Sequence, residues 1–323
     1  MLKRMFAVAV ISLALLSLAF SPVLAAEKWP TGPITMIVPF KAGGGLDVVG
    51  RLLAKHWEKE LGVPIRIENR GGANGQIGTM HYLTLPDDGS SLLMNAQLYY
   101  SSTILTQNAP YKIDDIELLN FVELAPNCVA VAANASYNTF SELNDAILQN
   151  PGKIKFAVSP GSPGAIAVDY LINRLGWKVK IVNYDGGTDI DTALPGGHVD
   201  ATVLGIPGTV QRHKVLAVWA DERFPPAPEV PTLQEVLGGE KLPFIATSRF
   251  VAVHASVKEK YPDRYRILLE TLERASKSPD YLKDIESAGR ADVTVWIGPE
   301  KSNTMNHELH ELAEKYKSSL IGS

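Results

Sequence analysis

Short continuous apolar runs alternate along the chain with stretches in which apolar residues recur every third or fourth position. Ile34-Thr35-Met36-Ile37-Val38 is rich in β-branched residues and predicts a buried strand. Val48, Val49, Leu52, Leu53, His56 and Trp57 then follow at helical spacing until Gly62 stops them, and Pro64-Ile65-Arg66-Ile67-Glu68 predicts the next strand. A crossover of that length suits parallel pairing. The pattern repeats with a helix opening at Gly71-Gly72-Ala73-Asn74-Gly75 and ending near Leu83, and a strand over 91–94. Strands over 127–132 and 154–158 flank a helix over 140–149; a helix over 165–175 leads to strands over 178–182, 201–204 and 215–219. Such alternation predicts an α/β fold with largely parallel sheets. Near the C-terminus, Tyr265, Leu268, Leu269 and Leu272 mark one amphipathic helix and Met305, Leu309, Leu312 and Tyr316 another, with room for a strand over 293–297 between them. These elements hold too little sheet to stand alone and are expected to pack back onto the first lobe.

The N-terminus follows a different pattern. Lys3 and Arg4 precede an uncharged apolar run over 5–20, Ser21-Pro22 breaks it, and Val23-Leu24-Ala25 supplies small residues for a signal peptidase. The expectation is a secretory signal peptide over 1–25, cleaved near Ala25, because the run is short of the roughly 20 residues a spanning helix needs. The remaining 26–323 is long for one core and comfortable for two. A formal net charge of −4 shows no basic excess and argues against a nucleic-acid partner. Cys128 is the single cysteine, which excludes an intrachain disulfide and a cysteine-based metal site.

Candidate chemistry concentrates in strand-to-helix turns. Gly43-Gly44-Gly45 precedes a helix starting near Leu46 or Asp47, Ser159-Pro160-Gly161-Ser162-Pro163-Gly164 precedes another, and Tyr184-Asp185-Gly186-Gly187-Thr188 follows a strand. Glycine lets the backbone approach a ligand closely, and free N–H groups at a helix start attract anions without a lysine. In parallel sheets ligands sit outside the carboxyl ends of strands, where all three turns fall. Asp47 reads either as a cap on backbone N–H groups or as a ligand contact. The first turn lacks the GK[ST] ending of a P-loop, and Val48 stands where a dinucleotide fingerprint needs its last glycine. Gly161-Ser162-Pro163-Gly164 is not a nucleophile elbow. His307-Glu308-Leu309-His310-Glu311 fits no zinc-protease spacing and reads as a solvated helix face, while turn and cap roles account for Asp185, Asp189 and Asp191. No catalytic residue, metal or cofactor is expected.

Taken together, Trp29-Pro30, Ile34 through Phe40, Gly43-Gly44-Gly45 and Asp47 resemble the opening of the tripartite tricarboxylate transporter substrate-binding proteins, the Bug family. In the same order, Ile67-Glu68-Asn69-Arg70 with Gly75 and Gly78, Pro86-Asp87-Asp88-Gly89 with Leu92-Leu93, Tyr184 with Gly186-Gly187, Gly196 to Asp200, and Pro228 to Thr232 are similar to that family's further blocks. The resemblance implies a periplasmic, monomeric solute-binding protein of the two-lobed, Venus-flytrap type, with a ligand cleft between the lobes. Lobe 1 is expected over 26–125 plus 248–323, discontinuous in sequence, and lobe 2 over 126–247. The implied ligand is a small organic carboxylate, delivered to large and small integral-membrane transporter subunits. Carried over by position, the binding residues are Phe40, Gly43, Gly44, Asp47, Tyr184, Gly186, Gly187 and Thr188, with Ser159, Gly161 and Ser162 from the middle turn and Gln97 after the strand that ends at Met94. Asp185 stands where the family commonly has lysine, which makes that turn more negative. Ser248-Arg249-Phe250 reads as a return crossing between lobes, with Arg249 either a bidentate partner for a second carboxylate or half of a structural ion pair. Two rival readings use the same cleft: a secreted hydrolase-like enzyme built on Ser162 or an aspartate, and a ligand-sensing subunit of a signalling system. The motifs assemble no nucleophile–base pair for the first.

Overall fold

The computed structural model describes residues 29–243 and 245–317; the leader expected over 1–25 and its cleavage point lie outside them. The strands are β1 (Ile34–Val38), β2 (Ile65–Asn69), β3 (Ser91–Ala96), β4 (Ile116–Val131), β5 (Lys155–Val158), β6 (Lys180–Asn183), β7 (Ala201–Gly205), β8 (Lys214–Trp219) and β9 (Ala246–His254). The helices are α1 (Gly45–Leu61), α2 (Gln76–Leu83), α3 (Gln97–Thr106), α4 (Phe140–Gln149), α5 (Pro163–Leu175), α6 (Gly187–Ala193), α7 (Ile206–Thr209), α8 (Leu233–Val236), α9 (Val257–Lys260), α10 (Pro262–Lys277), α11 (Pro279–Ser287) and α12 (Pro299–Lys315). Among them none is long and apolar enough to cross a membrane.

The strand order is β2-β1-β3-β9-β4-β7-β5-β6, with β8 paired to β4. Parallel pairing holds at the two ends, β2-β1-β3 and β7-β5-β6, while β9, β4 and β8 in the middle pair antiparallel. The largely parallel sheet expected from the alternation of elements is therefore a mixed one. Its middle is antiparallel because two long strands cross between the halves in opposite directions. From Ile116 to Pro126, β4 pairs with β9; from Asn127 to Val131 it pairs with β7 and β8.

Side-chain alternation explains why the first half reads as unbroken apolar runs. Ile34, Met36 and Val38 of β1, Leu92 and Met94 of β3, and Val251 and Val253 of β9 pack under α1, α10 and α11 with Leu53, Trp57, Leu268 and Leu272. Ile37, Leu93 and Phe250 point the other way, toward Tyr82, Tyr100 and Leu309 of α2, α3 and α12. Both faces are buried, so both sets of positions are apolar, each full side chain contributing about 1.5–3 kcal/mol. In the second half Phe156, Val158, Ala201 and Val203 pack against Phe140, Leu143, Leu171 and Trp177 of α4, α5 and the segment after it, while Ala157 faces Ile190 and Leu194. Leu98 of α3 and Ala313 of α12 also pack into this second core, so these two helices touch both halves.

Two local expectations change. The segment over 293–297 is not a strand: it makes one isolated bridge, Thr294 to Glu123. Val295 N still donates to Val122 O at 3.2 Å, but beyond it one side chain takes over, since Asn120 donates to Val295 O at 3.1 Å and accepts from the N–H groups of Ile297 and Gly298 at 3.0 Å each. The helix face at His307–Glu311 is only partly solvated. His307 is exposed and pairs with Asp114, but His310 turns inward with Nδ1 2.9 Å from Ser101 Oγ.

Candidate functional site

Strands β1, β3, β5, β6 and β7 end at one cleft of about 150 Å³ between the two halves. Its floor includes Asn127 of β4 and Thr247 and Arg249 of β9, where the crossing strands pass. Thr247 Oγ1 donates to Asn127 Oδ1 at 3.0 Å, tying the two strands together beneath the cleft.

One wall is the turn after β1. Gly44 is the N-cap of α1, and its side-chain position is empty of any capping group. The N–H groups of Gly45 and Leu46, in the first turn, have no acceptor within the helix. Asp47 folds this turn rather than lining the cleft: its Oδ2 accepts from Gly43 N at 2.9 Å and from Arg51 Nε at 3.0 Å. Burial pushes the Asp47 carboxyl up, but the hydrogen bonds from Arg51 and Gly43 outweigh it and hold the group below its ordinary value. The opposite wall is the turn after β6, with Gly186, Gly187 and Thr188 in the lining. Aromatic rings close one side, Phe40 lying edge-on to Tyr99 with centroids 4.9 Å apart.

The walls clasp each other across the cleft. Lys41 Nζ lies 2.8 Å from both oxygens of Asp189. Asn74 N donates to Asp185 Oδ1 at 3.4 Å, and Ser159 Oγ donates to Asn74 Oδ1 at 3.2 Å. Ala73 and Asn74 reach this position with φ of 49° and 53°, left-handed conformations that cost non-glycine residues about 1 kcal/mol or more each. Fit is close enough that a methyl group on Gly44 would stand 2.8 Å from Thr188 Oγ1, and one on Gly161 would stand 2.0 Å from Ser102 Oγ.

At the floor, Glu123 of β4 lies between two arginines. Its carboxylate pairs with Arg249 of β9 and accepts from Arg290 Nη1 at 2.6 Å. The Glu123 side chain is 1 % exposed and that of Arg249 12 %. Burial, followed by the charge of Arg290, pulls the Arg249 guanidinium down to about 9, so it remains a cation at neutral pH. Both guanidiniums line the cleft.

Of the residues singled out from sequence, the structure brings Phe40, Gly43, Gly44, Ser162, Gly186, Gly187, Thr188 and Arg249 to the lining. Asp47, Ser159, Gly161 and Tyr184 stand one step back. Asp47 braces Gly43, Ser159 holds Asn74, Gly161 gives room to Ser102, and Tyr184 packs beside Ile190 and Leu194. Gln97 is fully buried away from the cleft, donating to Ser101 Oγ at 2.8 Å and to Asn306 O at 2.9 Å. The strand before it runs on to Ala96, so Gln97 opens α3 and Tyr99, two positions along the helix, faces the cleft instead. Ser162 accepts from Ala165 N at 3.0 Å and so caps α5. Lys41, Asn74, Tyr99, Asn127 and Arg290 belong to the site without a sequence motif that marks them. The aromatic pair Tyr99-Tyr100 after a buried strand was the one available signal.

Two α/β lobes joined by crossing strands, with glycine turns converging on a charged cleft between them, define a solute-binding receptor of the periplasmic-binding-protein type. The sequence profile described as "Tripartite tricarboxylate transporter family receptor" matches residues 49–315, and the chain belongs to that family. It is 30% identical over 280 residues to the UPF0065 protein in the TAR-I ttuE-ttuC' intergenic region of Agrobacterium vitis, covering 83% of this chain and 78% of that protein. With the UPF0065 protein in the tcbD-tcbE intergenic region of Pseudomonas sp. (strain P51) it shares 29% identity over 221 residues, 66% of this chain and 65% of that one. Its fold is similar to that of the periplasmic binding protein BugD, with a TM-score of 0.81 at 24% identity over 91% of this chain and 99% of BugD. R. palustris Rpa4515, solved with adipate, superposes with a TM-score of 0.79 at 22% identity, covering 90% of this chain and 98% of that one.

Proposed function

We propose that this chain captures a small organic carboxylate in the periplasm by closing its lobes, and presents it to the large and small membrane subunits of a tripartite transporter. The observation that carries this reading is the convergence of Gly43-Gly44-Gly45 and Gly186-Gly187-Thr188 on one cleft floored by a buried arginine. Backbone donors from both halves meet there, so an anion is held only when the halves are together. Family membership supports the transport role, and adipate in Rpa4515 supports a carboxylate as ligand.

In this reading lobe 1 comprises 26–125 and 248–323, lobe 2 comprises 126–247, and the hinge lies where β4 and β9 cross near Pro126–Asn127 and Ala246–Thr247. The leader is removed near Ala25, and the receptor acts as a monomer. Phe40, Gly43, Gly44, Ser162, Gly186, Gly187, Thr188 and Arg249 touch the ligand, while Asp47, Ser159, Gly161 and Tyr184 hold the turns that do. The ligand leaves unchanged. Ser162 Oγ is engaged as a helix cap, and among the described lining residues there is no histidine to serve as its base. That weakens the hydrolase reading; a sensory role would use the same cleft and the same closure.

The test is thermal unfolding of the mature protein, stripped of ligand by unfolding and refolding, against mono-, di- and tricarboxylates, their amides and amino acids. One carboxylate at about 100 times its dissociation constant is expected to add about 2.7 kcal/mol of stability. The same compound should be recovered chemically intact after overnight incubation. A panel that leaves unfolding unchanged, or a ligand that is consumed, overturns the reading.

A further inference from the structure

Between β2 and α2 the chain runs through four successive residues with positive φ: Gly72 at 124°, Ala73 at 49°, Asn74 at 53° and Gly75 at 92°. Glycine takes such angles freely, but a residue with a Cβ does so at a cost, and left-handed conformations normally occur singly rather than in runs. Asparagine tolerates the conformation better than most residues; alanine has no side-chain hydrogen bond to compensate it. Ala73 is exposed, so burial offsets nothing there, whereas Asn74 is buried. Within the turn the Gly75 N–H donates to Gly72 O at 3.1 Å, but the hydrogen bonds of Asn74 run to the other half of the molecule. Its N–H makes a long bond to Asp185 Oδ1 at 3.4 Å, and its amide oxygen accepts from Ser159 Oγ at 3.2 Å. Asp185 follows β6 and Ser159 follows β5, so both partners belong to lobe 2. On its own side the turn leans on the cleft: Gly71 and Gly72 are in the lining, and a methyl group on Gly75 would stand 3.1 Å from the Phe40 ring.

Resting on the receptor reading above, we propose that the left-handed turn at Ala73-Asn74 is made on closure and undone on opening, with Asn74 the positioning residue that holds the cleft closed. Opening withdraws Ser159 and Asp185, and the two residues that carry side chains then relax to negative φ. The turn is in this way a spring. It opposes closure, lowers the affinity for the bound acid and speeds its release. Ala73 and Asn74 are outside the cleft lining, so the spring acts on the lobes rather than on the guest.

Stopped-flow binding separates a spring from a strain that is always present. The probe is whichever acid of a mono-, di- and tricarboxylate panel, adipate included, raises the melting temperature of the native protein most. Ala73→Gly frees the turn at an exposed position and is expected to slow dissociation about three- to tenfold, with association unchanged within about twofold. Ligand-free melting should stay level or fall, because glycine gains freedom in the unfolded chain while no strain is relieved in the open form. If Ala73→Gly instead raises ligand-free melting and leaves dissociation unchanged, the turn exists in the open form; the spring is then overturned and the receptor reading stands. A second pair isolates the backbone at position 74. Asn74→Gly and Asn74→Ala both lose the amide and differ in the cost of positive φ, so the alanine variant should release the acid about three- to tenfold faster than the glycine variant. Equal release rates also overturn the spring. A native protein that binds no acid of the panel removes both readings together.

Discussion

At Gly44 the fit of the two walls depends on one missing methyl group. An alanine there would meet Thr188 Oγ1 at 2.8 Å, across the gap between the halves, and Lys41 O at 3.3 Å within its own turn. The contact with Thr188 exists only with the walls together. Gly44→Ala is therefore expected to weaken ligand affinity about tenfold, equivalent to about 1.4 kcal/mol, with little change in the melting of ligand-free protein. Thr188→Ala in the same background removes the obstructing hydroxyl and should restore most of the loss; no recovery would show that the obstruction is local to the turn. Glycine at this position was legible in the sequence as a run of three in a strand-to-helix turn, where the backbone can approach a partner closely. The partner it makes room for was not, since Thr188 comes from the far lobe.

The packing of α11 against α1 carries a pH signature. Asp284 of α11 lies 2.6 Å from Lys55 Nζ and 2.8 Å from His56 Nε2 of α1, and the Lys55 and His56 hydrogen bonds hold its carboxyl at about 2. Asp87, which joins Lys260 of α9 and Ser256, is likewise held below its ordinary value, first by the Lys260 hydrogen bond. For carboxylates whose folded value lies below the unfolded value of about 3.9, the stabilisation is fully present above the unfolded value. It is lost as pH falls through the folded one. Melting temperature is expected to drop as pH is lowered from about 5 toward 2, and Asp284→Asn should flatten that drop, measured by scanning calorimetry. The helices themselves were readable from their spacing: the expected helix over 140–149 is α4, and Tyr265, Leu268 and Leu272 bury on α10. The strand expected over 293–297 stops at one bridge and one backbone bond to Val122 O, because the side chain of Asn120 takes the hydrogen bonds of Val295 O, Ile297 N and Gly298 N.

For the molecule as a whole, closure is expected to be shallow in energy. Of the contacts across the cleft among the described residues, Lys41–Asp189 is the one full ion pair, and its side chains are 57 % and 32 % exposed, so it holds the walls weakly and is screened by salt. Lys41→Ala should raise the ligand dissociation rate by up to about fivefold at low salt, and the difference should vanish near 1 M salt. Stopped-flow release measures this, and an effect of the same size at high salt would mean that Lys41 contacts the ligand directly. Small-angle scattering should show a smaller radius of gyration with ligand than without.

The apolar periodicity by itself determined the α/β elements, their order and the glycine turns at strand ends, because those depend on local spacing and on backbone freedom. The family resemblance carried the two-lobed plan. What only the tertiary structure decided is the charged floor. β4 carries irregularities in its pairing with β9 between Leu118 and Asn120 and between Phe121 and Glu123. A bulge adds a residue to one strand and re-aims the side chains that follow. Simple alternation would send Glu123 to the same face as Phe121, yet it meets Arg249 and Arg290. No spacing rule along one chain joins residues 123, 249 and 290; they meet because two crossing strands and a turn from the C-terminal segment pack at one point.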